Sequence, residues 1–462
     1  MAGSVSALPV VVGVDLATAD ARVAVVDLDG RVVSRAAVPL AEPHRPQPGT
    51  SEQDARSWWP AVAAGLRKAL AGVEADAEVA AVAVSATSGT VVLADGNGEP
   101  VGPALLYDDR RVPAPERWDW LLERHGGPAG RVAHAWHASD LVVHRLIGQP
   151  PPTDWSHALK TGYDPGEGRW SAGGGAAGRL RAEVAAPTSA AGTVCAEAAA
   201  DTGLPAGCPV RLGMTDGCAA QVAAGADRPG RFVSVLGTTL VVKGASEDRL
   251  DDPASGVYSH RHPDGWWLPG GASNTGGGSL AHRFPEDELP GLDRRAADHG
   301  PAGTVCYPLP GTGERFPFVS DEAAELWTAP AGGRVDEYRA VLEGVAFLER
   351  LGYERLGALG APLQAPLRSA GTGSRSEVWT AIRATVLDVP IVRPGAADTA
   401  FGAAVLAAAG TVHPTLGAAA DAMVGVAGPE VAPVPGEMER LDESYRRFVA
   451  ALTDRGWLPW RG

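Results

Sequence analysis

Asp216 stands where a strand-like approach, residues 208–212, gives way to a run of small residues, 217–224, closed by Gly225. An acid in that place faces the free N–H groups of a helix start. A second pattern follows at once. Gly237-Thr238-Thr239 joins two Val- and Leu-rich runs, 232–236 and 240–243. A tight turn of one Gly and two hydroxyls offers N–H and O–H donors to a single point, as a phosphate needs. Near the other end of the chain, Asp15 and Thr18 lie three residues apart in a loop after an apolar run. There an acid suited to a metal stands beside a hydroxyl and loop N–H groups suited to phosphate. Taken singly, these features read equally as a helix cap, a hairpin turn and a solvated turn.

The elements around them must do the positioning. Residues 10–15 and 22–27 are apolar runs, followed by Asp29-Gly30 and a third run, 31–34. Asp-Gly between such runs predicts an antiparallel meander. Residues 54–70 carry apolar side chains at helical spacing, through Trp58, Val62, Leu66 and Leu70. Residues 79–84 form a buried strand that runs into Ser85-Ala86-Thr87-Ser88-Gly89-Thr90. A charged cluster, Tyr107-Asp108-Asp109-Arg110-Arg111, follows another apolar stretch. In open α/β sheets ligands bind at strand ends. A helix is expected over 136–146, an N-cap and short helix from Thr153 and Asp154, and a Gly-rich surface loop over 167–178.

Further on, Asp264-Gly265 reads as a hairpin, residues 270–278 as a flexible Gly-Ser-Thr-Asn stretch and 307–318 as an ordered Pro/Gly loop. Residues 335–356 read as a long amphipathic helix. Residues 367–370 lead through Gly371-Thr372-Gly373-Ser374-Arg375-Ser376 into a helix over 377–387. Strand, Gly-rich loop and helix in that order suit a nucleotide. Residues 398–410 form an Ala-rich helix able to pack close to another backbone. One long-range echo stands out: residues 10–34 and 231–268 both read as meanders whose first turn holds small and hydroxyl residues.

The bulk figures bound the class. The chain has 462 residues, enough for two or three domains, with 45% hydrophobic and 21% charged residues. Its formal net charge of −15 argues against a general nucleic-acid binder. Four scattered cysteines predict neither a disulfide framework nor a zinc site. A cytoplasmic protein without membrane attachment is expected.

With these pieces in order, the chain resembles the FGGY family of carbohydrate kinases from about Val10 to Gly410. The motifs that carry the resemblance are VGVDLATADARVAVVD, SATSGT with YDDRR, GMTDGCAAQVAAGA, VSVLGTTLVVKG, GTGSRSEVWTAIRATVLDVPI and AFGAAVLAAAG. Within the family, the segments HALKTGYDP, WWLPGGASNTGG and YPLPGTGERFPF resemble the D-ribulose kinase group of cyanobacteria and plants. The resemblance implies an α/β fold of two actin-like, ribonuclease-H-like domains, residues 1–229 and 230–462, with ATP and Mg²⁺ in an interdomain cleft. It implies that Asp216 is the general base and that Asp15 and Asp216 hold the metal. Asp15, Ser88, Asp109 and Asp216 would face the sugar. Thr18, Arg22, Gly237, Thr238, Thr239, Gly371, Thr372, Gly373 and Ser376 would face the nucleotide. The expected activity is transfer of the γ-phosphate of ATP to a ketopentose, D-ribulose first, with D-xylulose, L-ribulose or a polyol as alternatives. A non-catalytic sugar- or nucleotide-binding relative is the reading from another class. The expected partner is the small-molecule sugar, and the expected state is monomer or homodimer.

The first loop departs from the family's usual Asp-x-Gly-Thr-Ser-Gly. Ala17 replaces a glycine, Ala19 a hydroxyl donor, and Asp20 adds a negative charge. At about 5 Å and an effective dielectric near 20, such a charge costs on the order of 3 kcal/mol against a phosphate, unless Mg²⁺ or Arg22 compensates. The sugar strand often carries an acid where this chain has Ser85.

Overall fold

The computed structural model describes residues 9–74, 77–127, 130–171 and 175–458. The chain forms two compact units. The first takes the chain up to Ala223, together with His260–Asp264 and Ala396–Val424. The second takes Ala224–Ser259, Gly265–Gly395 and Gly425–Gly462.

The sheet of the first unit runs in the order Ala190–Thr193, Pro209–Thr215, Glu78–Ala86, Pro9–Leu16, Asp20–Asp27, Val32–Pro39. The last three strands are the antiparallel meander. Pro9–Leu16, Glu78–Ala86 and Pro209–Thr215 are mutually parallel. Val10, Val12 and Val14 join a core with Trp58, Val62 and Leu66 of helix Trp58–Leu70 and with Leu141 and Leu146 of helix Ala138–Ile147. The opposite face of the strand meets helix Thr399–Ala408, where Gly13 lies against Ala400 and Ala404. A parallel strand covered on both faces has no polar side to show, so its sequence is an unbroken apolar run.

The sheet of the second unit repeats this plan. Its seven strands run Tyr258–Arg261, Trp267–Ala272, Leu240–Gly244, Phe232–Leu236, Leu367–Ala370, Ile391–Pro394, Val426–Val431. Inside the additional edge strand Tyr258–Arg261 a three-strand meander recurs, its first strand in sequence, Phe232–Leu236, pairs parallel with Leu367–Ala370, and an antiparallel strand closes the far side. The echo between residues 10–34 and 231–268 is therefore one topology used twice.

Several local expectations change. Trp136 and His137 belong to strand His134–His137, and the helix begins at Ala138, with His137 and Asp140 forming a capping box. Of the Gly-rich stretch 167–178, Arg169–Trp170 pairs with Tyr163–Asp164, and residues 172–174 lie outside the described residues. The expected loop 307–318 is mostly strand: Cys306–Glu314 pairs with Ser320–Trp327 through two register shifts. Irregular pairing of that kind tolerates prolines that a regular ladder would reject. Helix Arg334–Ala358 is buried on most sides rather than on one stripe. Its Glu349 receives both Arg383 Nε and Nη2, at 2.6 and 2.7 Å, so a charge inside the core is paired rather than facing water. Among the described residues no helix is long and apolar enough to cross a membrane.

Candidate active site

Strand ends gather the polar groups of the first unit. Asp15 lies one residue from the end of Pro9–Leu16 and pairs in register with Arg22 on one side and Ser85 on the other. It is 1% exposed. Burial, the largest influence, pushes its carboxyl from 3.8 up to about 7. Arg22 opposes that rise, and the carboxylates of Asp216, Asp20 and Asp398 add to it. Asp15 and Asp216, far apart in sequence, therefore sense each other's charge. Asp15 Oδ2 receives Arg22 Nη1 at 3.5 Å, while Oδ1 is buried with no hydrogen-bond partner among the described residues. Thr18 Oγ1, Ser85 Oγ and Ser88 Oγ are in the same condition. Buried polar atoms are normally bonded, so four orphans at and just past the ends of two neighbouring strands make this a candidate ligand site.

Asp216 opens helix Asp216–Ala223 directly after strand Pro209–Thr215, and its Oδ1 accepts from Gly217 N at 2.6 Å. Helix Thr399–Ala408 packs against this helix, with Gly402 over Ala219, and Thr399 Oγ1 lies 3.5 Å from the Asp216 carbonyl. The small residues of 398–410 thus permit the close backbone approach read from the sequence, and they attach this helix to the first unit. The added charge of Asp20 is met by Arg22, whose Nε is 2.8 Å from Asp20 Oδ1.

Asp109 is buried, with both oxygens engaged. It accepts from Ser51 N at 2.8 Å and from the Arg111 backbone and guanidinium, which hold its carboxyl below its ordinary value against the effect of burial. Its part in the structure is to fix the turn of residues 107–111. Sequence reasoning missed Arg117, a buried guanidinium that donates to Gly89 O at 2.5 Å, Asp109 O at 2.7 Å and Tyr107 O at 3.1 Å. It ties the loop of Ser88 to the turn of Asp109. A lone Arg in a helix start gives no sequence signal of that role.

The second unit builds a cradle of backbone. Gly237-Thr238-Thr239 continues strand Phe232–Leu236, with Gly237 N donating to Thr239 O at 3.1 Å. The stretch 270–278 is held, not flexible. Gly277 N and Gly278 N donate to Gly237 O and Thr238 O, each at 2.8 Å. A side chain on Gly276 would come within 2.5 Å of the Thr239 backbone, so only glycine fits there. Gly371 and Gly373 press on Leu236, the last residue of the same strand, and Thr372 is exposed beside them. Gly371 has φ of 86°, where glycine is favoured. Ser376 caps helix Glu377–Leu387 by accepting from Trp379 N. Glu314 anchors the cradle from below, a role sequence reasoning missed inside the supposed loop. Its buried carboxylate accepts from Ser273 Oγ, Asn274 N, Thr275 Oγ1, Tyr307 OH and Arg315 N.

Residues 10–119 match the N-terminal domain of the FGGY family of carbohydrate kinases, and residues 232–411 match its C-terminal domain. This chain belongs to the FGGY family. Like its relatives, this FGGY kinase is a sugar phosphotransferase, with the actin-like, ribonuclease-H-like α/β architecture of two domains. The xylulose kinase of Streptomyces rubiginosus is 30% identical to it, covering 98% of each chain. The solved xylulose kinase from Rhodospirillum rubrum superposes with a TM-score of 0.83 at 27% identity, covering 96% of this chain and 98% of that one. A ribulokinase of Mycolicibacterium smegmatis is 29% identical over 56% of this chain and 50% of its own. FGGY kinases use ATP as phosphate donor.

Proposed function

We propose that this FGGY kinase transfers the γ-phosphate of ATP to a hydroxyl of a ketopentose, with D-xylulose the first substrate to test. Similarity along nearly the whole chain to a xylulose kinase supports that order. D-ribulose is the second reading, favoured by the segments WWLPGGASNTGG and YPLPGTGERFPF and by the shorter ribulokinase match. The observation that carries the catalytic assignment is the placement of Asp15 and Asp216 at the same ends of two parallel strands of one sheet, beside the buried, unbonded Oδ1 of Asp15.

Asp216 takes the proton of the attacking hydroxyl as the bond to phosphorus forms. A base so placed contributes about 10²–10⁴-fold in rate. Ser88 Oγ, without a hydrogen-bond partner among the described residues, is available to a sugar hydroxyl. Thr18 and Arg22, with Gly237, Thr238 and Thr239, donate to phosphate oxygens, and Gly371, Thr372, Gly373 and Ser376 line the nucleoside side. Mg²⁺ ordinarily binds through one or two carboxylates plus substrate phosphates and waters. That mode fits this chain. No group of three or more His, Cys, Asp or Glu among the described residues is arranged to hold a metal by itself, yet Asp15 keeps an unbonded, buried oxygen. Asp15 and Asp216 would hold the ion, which would neutralise charge on the phosphates.

The test is ADP formation with ATP, Mg²⁺ and a panel of D-xylulose, D-ribulose, L-ribulose and glycerol. Turnover dependent on a ketopentose is expected. ADP release indifferent to every sugar would overturn the reading. Asp216→Asn should lower kcat by at least about 10²-fold.

A further inference from the structure

The parallel ladder that carries Asp216 loses its register just before it is needed. Pro209–Thr215 pairs evenly with Glu78–Ala86 as far as Leu212, then shifts before the last pair, Thr215 with Ala86. Gly213 lies in the shifted part, where a Cβ would come within 2.0 Å of Val84 O. A ladder that slips cannot by itself fix the residue that follows, because regular hydrogen bonds are what set a strand's position.

A buried cluster grips the slipped end from outside the ladder. Asp154 caps helix Trp155–Lys160, its Oδ1 accepting from Ser156 N at 2.9 Å, His157 N at 3.2 Å and Ser156 Oγ at 2.5 Å. Ser156 Oγ, its hydroxyl hydrogen engaged in the bond to Asp154, accepts from Thr215 N at 3.0 Å. His157 Nδ1 bonds the other oxygen of Asp154, and its Nε2 lies 3.3 Å from Ala86 O. With a carboxylate facing one nitrogen and a carbonyl the other, the ring is placed to donate from both, and although burial lowers its pKa, Asp154 raises it further, to above the ordinary value. Asp154, Ser156 and His157 are each at most 2% exposed. One cluster therefore holds both members of the last ladder pair. One of them, Thr215, directly precedes Asp216. The other, Ala86, lies two residues before Ser88.

We propose that Asp154, Ser156 and His157 are positioning residues that set Asp216 and the Ser88 loop at a fixed separation, with Ser156 Oγ the link to the base. The proposal rests on Asp216 being that base. A displacement of the order of 1 Å at a reacting group can cost about 10²-fold in rate, whereas substrate binding spreads over many contacts and suffers less.

The experiment compares Ser156→Ala, Ser156→Thr and Asp216→Asn in the full chain. Steady-state kinetics is run beside hydrogen–deuterium exchange of the peptide covering residues 213–217. Ser156→Ala is expected to lower kcat about tenfold and to change the sugar KM by less than about twofold. Exchange at 213–217 is expected to quicken while the meander strand Pro9–Leu16 keeps its protection. Ser156→Thr, which retains the hydroxyl, should recover most of kcat. An unchanged kcat, unchanged exchange at 213–217, or faster exchange throughout the first unit would each overturn the proposal. If Asp216→Asn keeps the wild-type rate, the base assignment falls instead, and the exchange result still judges the brace.

Discussion

Arg22 spans two carboxylates: its Nε is 2.8 Å from Asp20 Oδ1, and its Nη1 is 3.5 Å from Asp15 Oδ2. The first loop of this kinase thus carries its own countercharge for the acid that replaces a neutral residue. Arg22 is half exposed, so the pairs themselves stabilise the fold little. Their weight falls on the field a phosphate would meet. Arg22→Gln should raise the KM for ATP several-fold. Adding Asp20→Asn should recover much of that loss, because the repulsion Arg22 offsets is then gone. Additive effects of the two changes on KM would show that Asp20 and Arg22 do not act as a pair.

Asp15 gives a pH signature. Its carboxyl titrates near 7 in the native state, chiefly through burial, against 3.8 ordinarily. Between those values the native protein holds a proton that the unfolded chain has released. Stability from this group is therefore full below about pH 4 and is lost as pH rises to about 7. Asp15→Asn removes the titration. Its Tm relative to wild type should climb between pH 4 and 7 and level off above. Mg²⁺ that binds the ionised carboxylate should shrink the difference at pH 8. A Tm difference flat across that range would contradict the raised carboxyl.

Much of this fold could be read from local pattern. The Val-rich runs at 10–15 and 22–27, with Asp29-Gly30, demand a meander, and Gly30 does take a positive φ of 81°. The strand–loop–helix at 367–387 forms as its residues suggest, because Ser376 supplies the cap. What misled was composition without partners. Residues 307–318 read as a loop from their prolines and glycines, but pairing with Ser320–Trp327 overrides local preference. Residues 270–278 read as flexible, since nothing in them announces that Glu314, some forty positions on, will bind three successive residues. At the site, the placement of Asp15, Thr18, Ser88 and Asp216 at or just past strand ends was legible, because each follows an apolar run. Arg117, Glu314 and His157 were not, since each acts on backbone atoms distant in sequence.

Glu314 should separate nucleotide from sugar. Its Oε2 takes three hydroxyl donors, and its Oε1 takes two backbone N–H groups. Glu314→Gln puts an amide where one of those sets donates, leaving buried donors opposed. Hydrogen bonds to a charged partner are each worth about 1.5–3 kcal/mol, so a loss of about 3 kcal/mol in stability is expected. Because the carboxylate holds Ser273, Asn274 and Thr275, just before Gly277 and Gly278, which bond to Gly237 and Thr238, the KM for ATP should rise while that for the sugar holds. Equal increases in both would show that the cradle is not what Glu314 supports.

Gly13 tests how the first unit holds its base. A Cβ at Gly13 would lie 1.9 Å from Ala400 O and 2.3 Å from Ala404 N, both backbone atoms that no rotamer change can move. Helix Thr399–Ala408 would have to lift off the strand. That helix begins beside the Asp216 carbonyl and carries Gly402 against Ala219, so its shift would be felt at the base as well as in the core. Gly13→Ala should cost about 3 kcal/mol, at the upper end for overpacking, and should lower kcat of the folded fraction. Gly291 supplies the contrast. It lies in helix Leu289–His299, where an added methyl would meet nothing within 4 Å and φ is ordinary. Gly291→Ala should therefore stabilise by about 0.4–1 kcal/mol and leave kcat alone. If both variants melt alike, close approach of helix to strand is not what Gly13 provides.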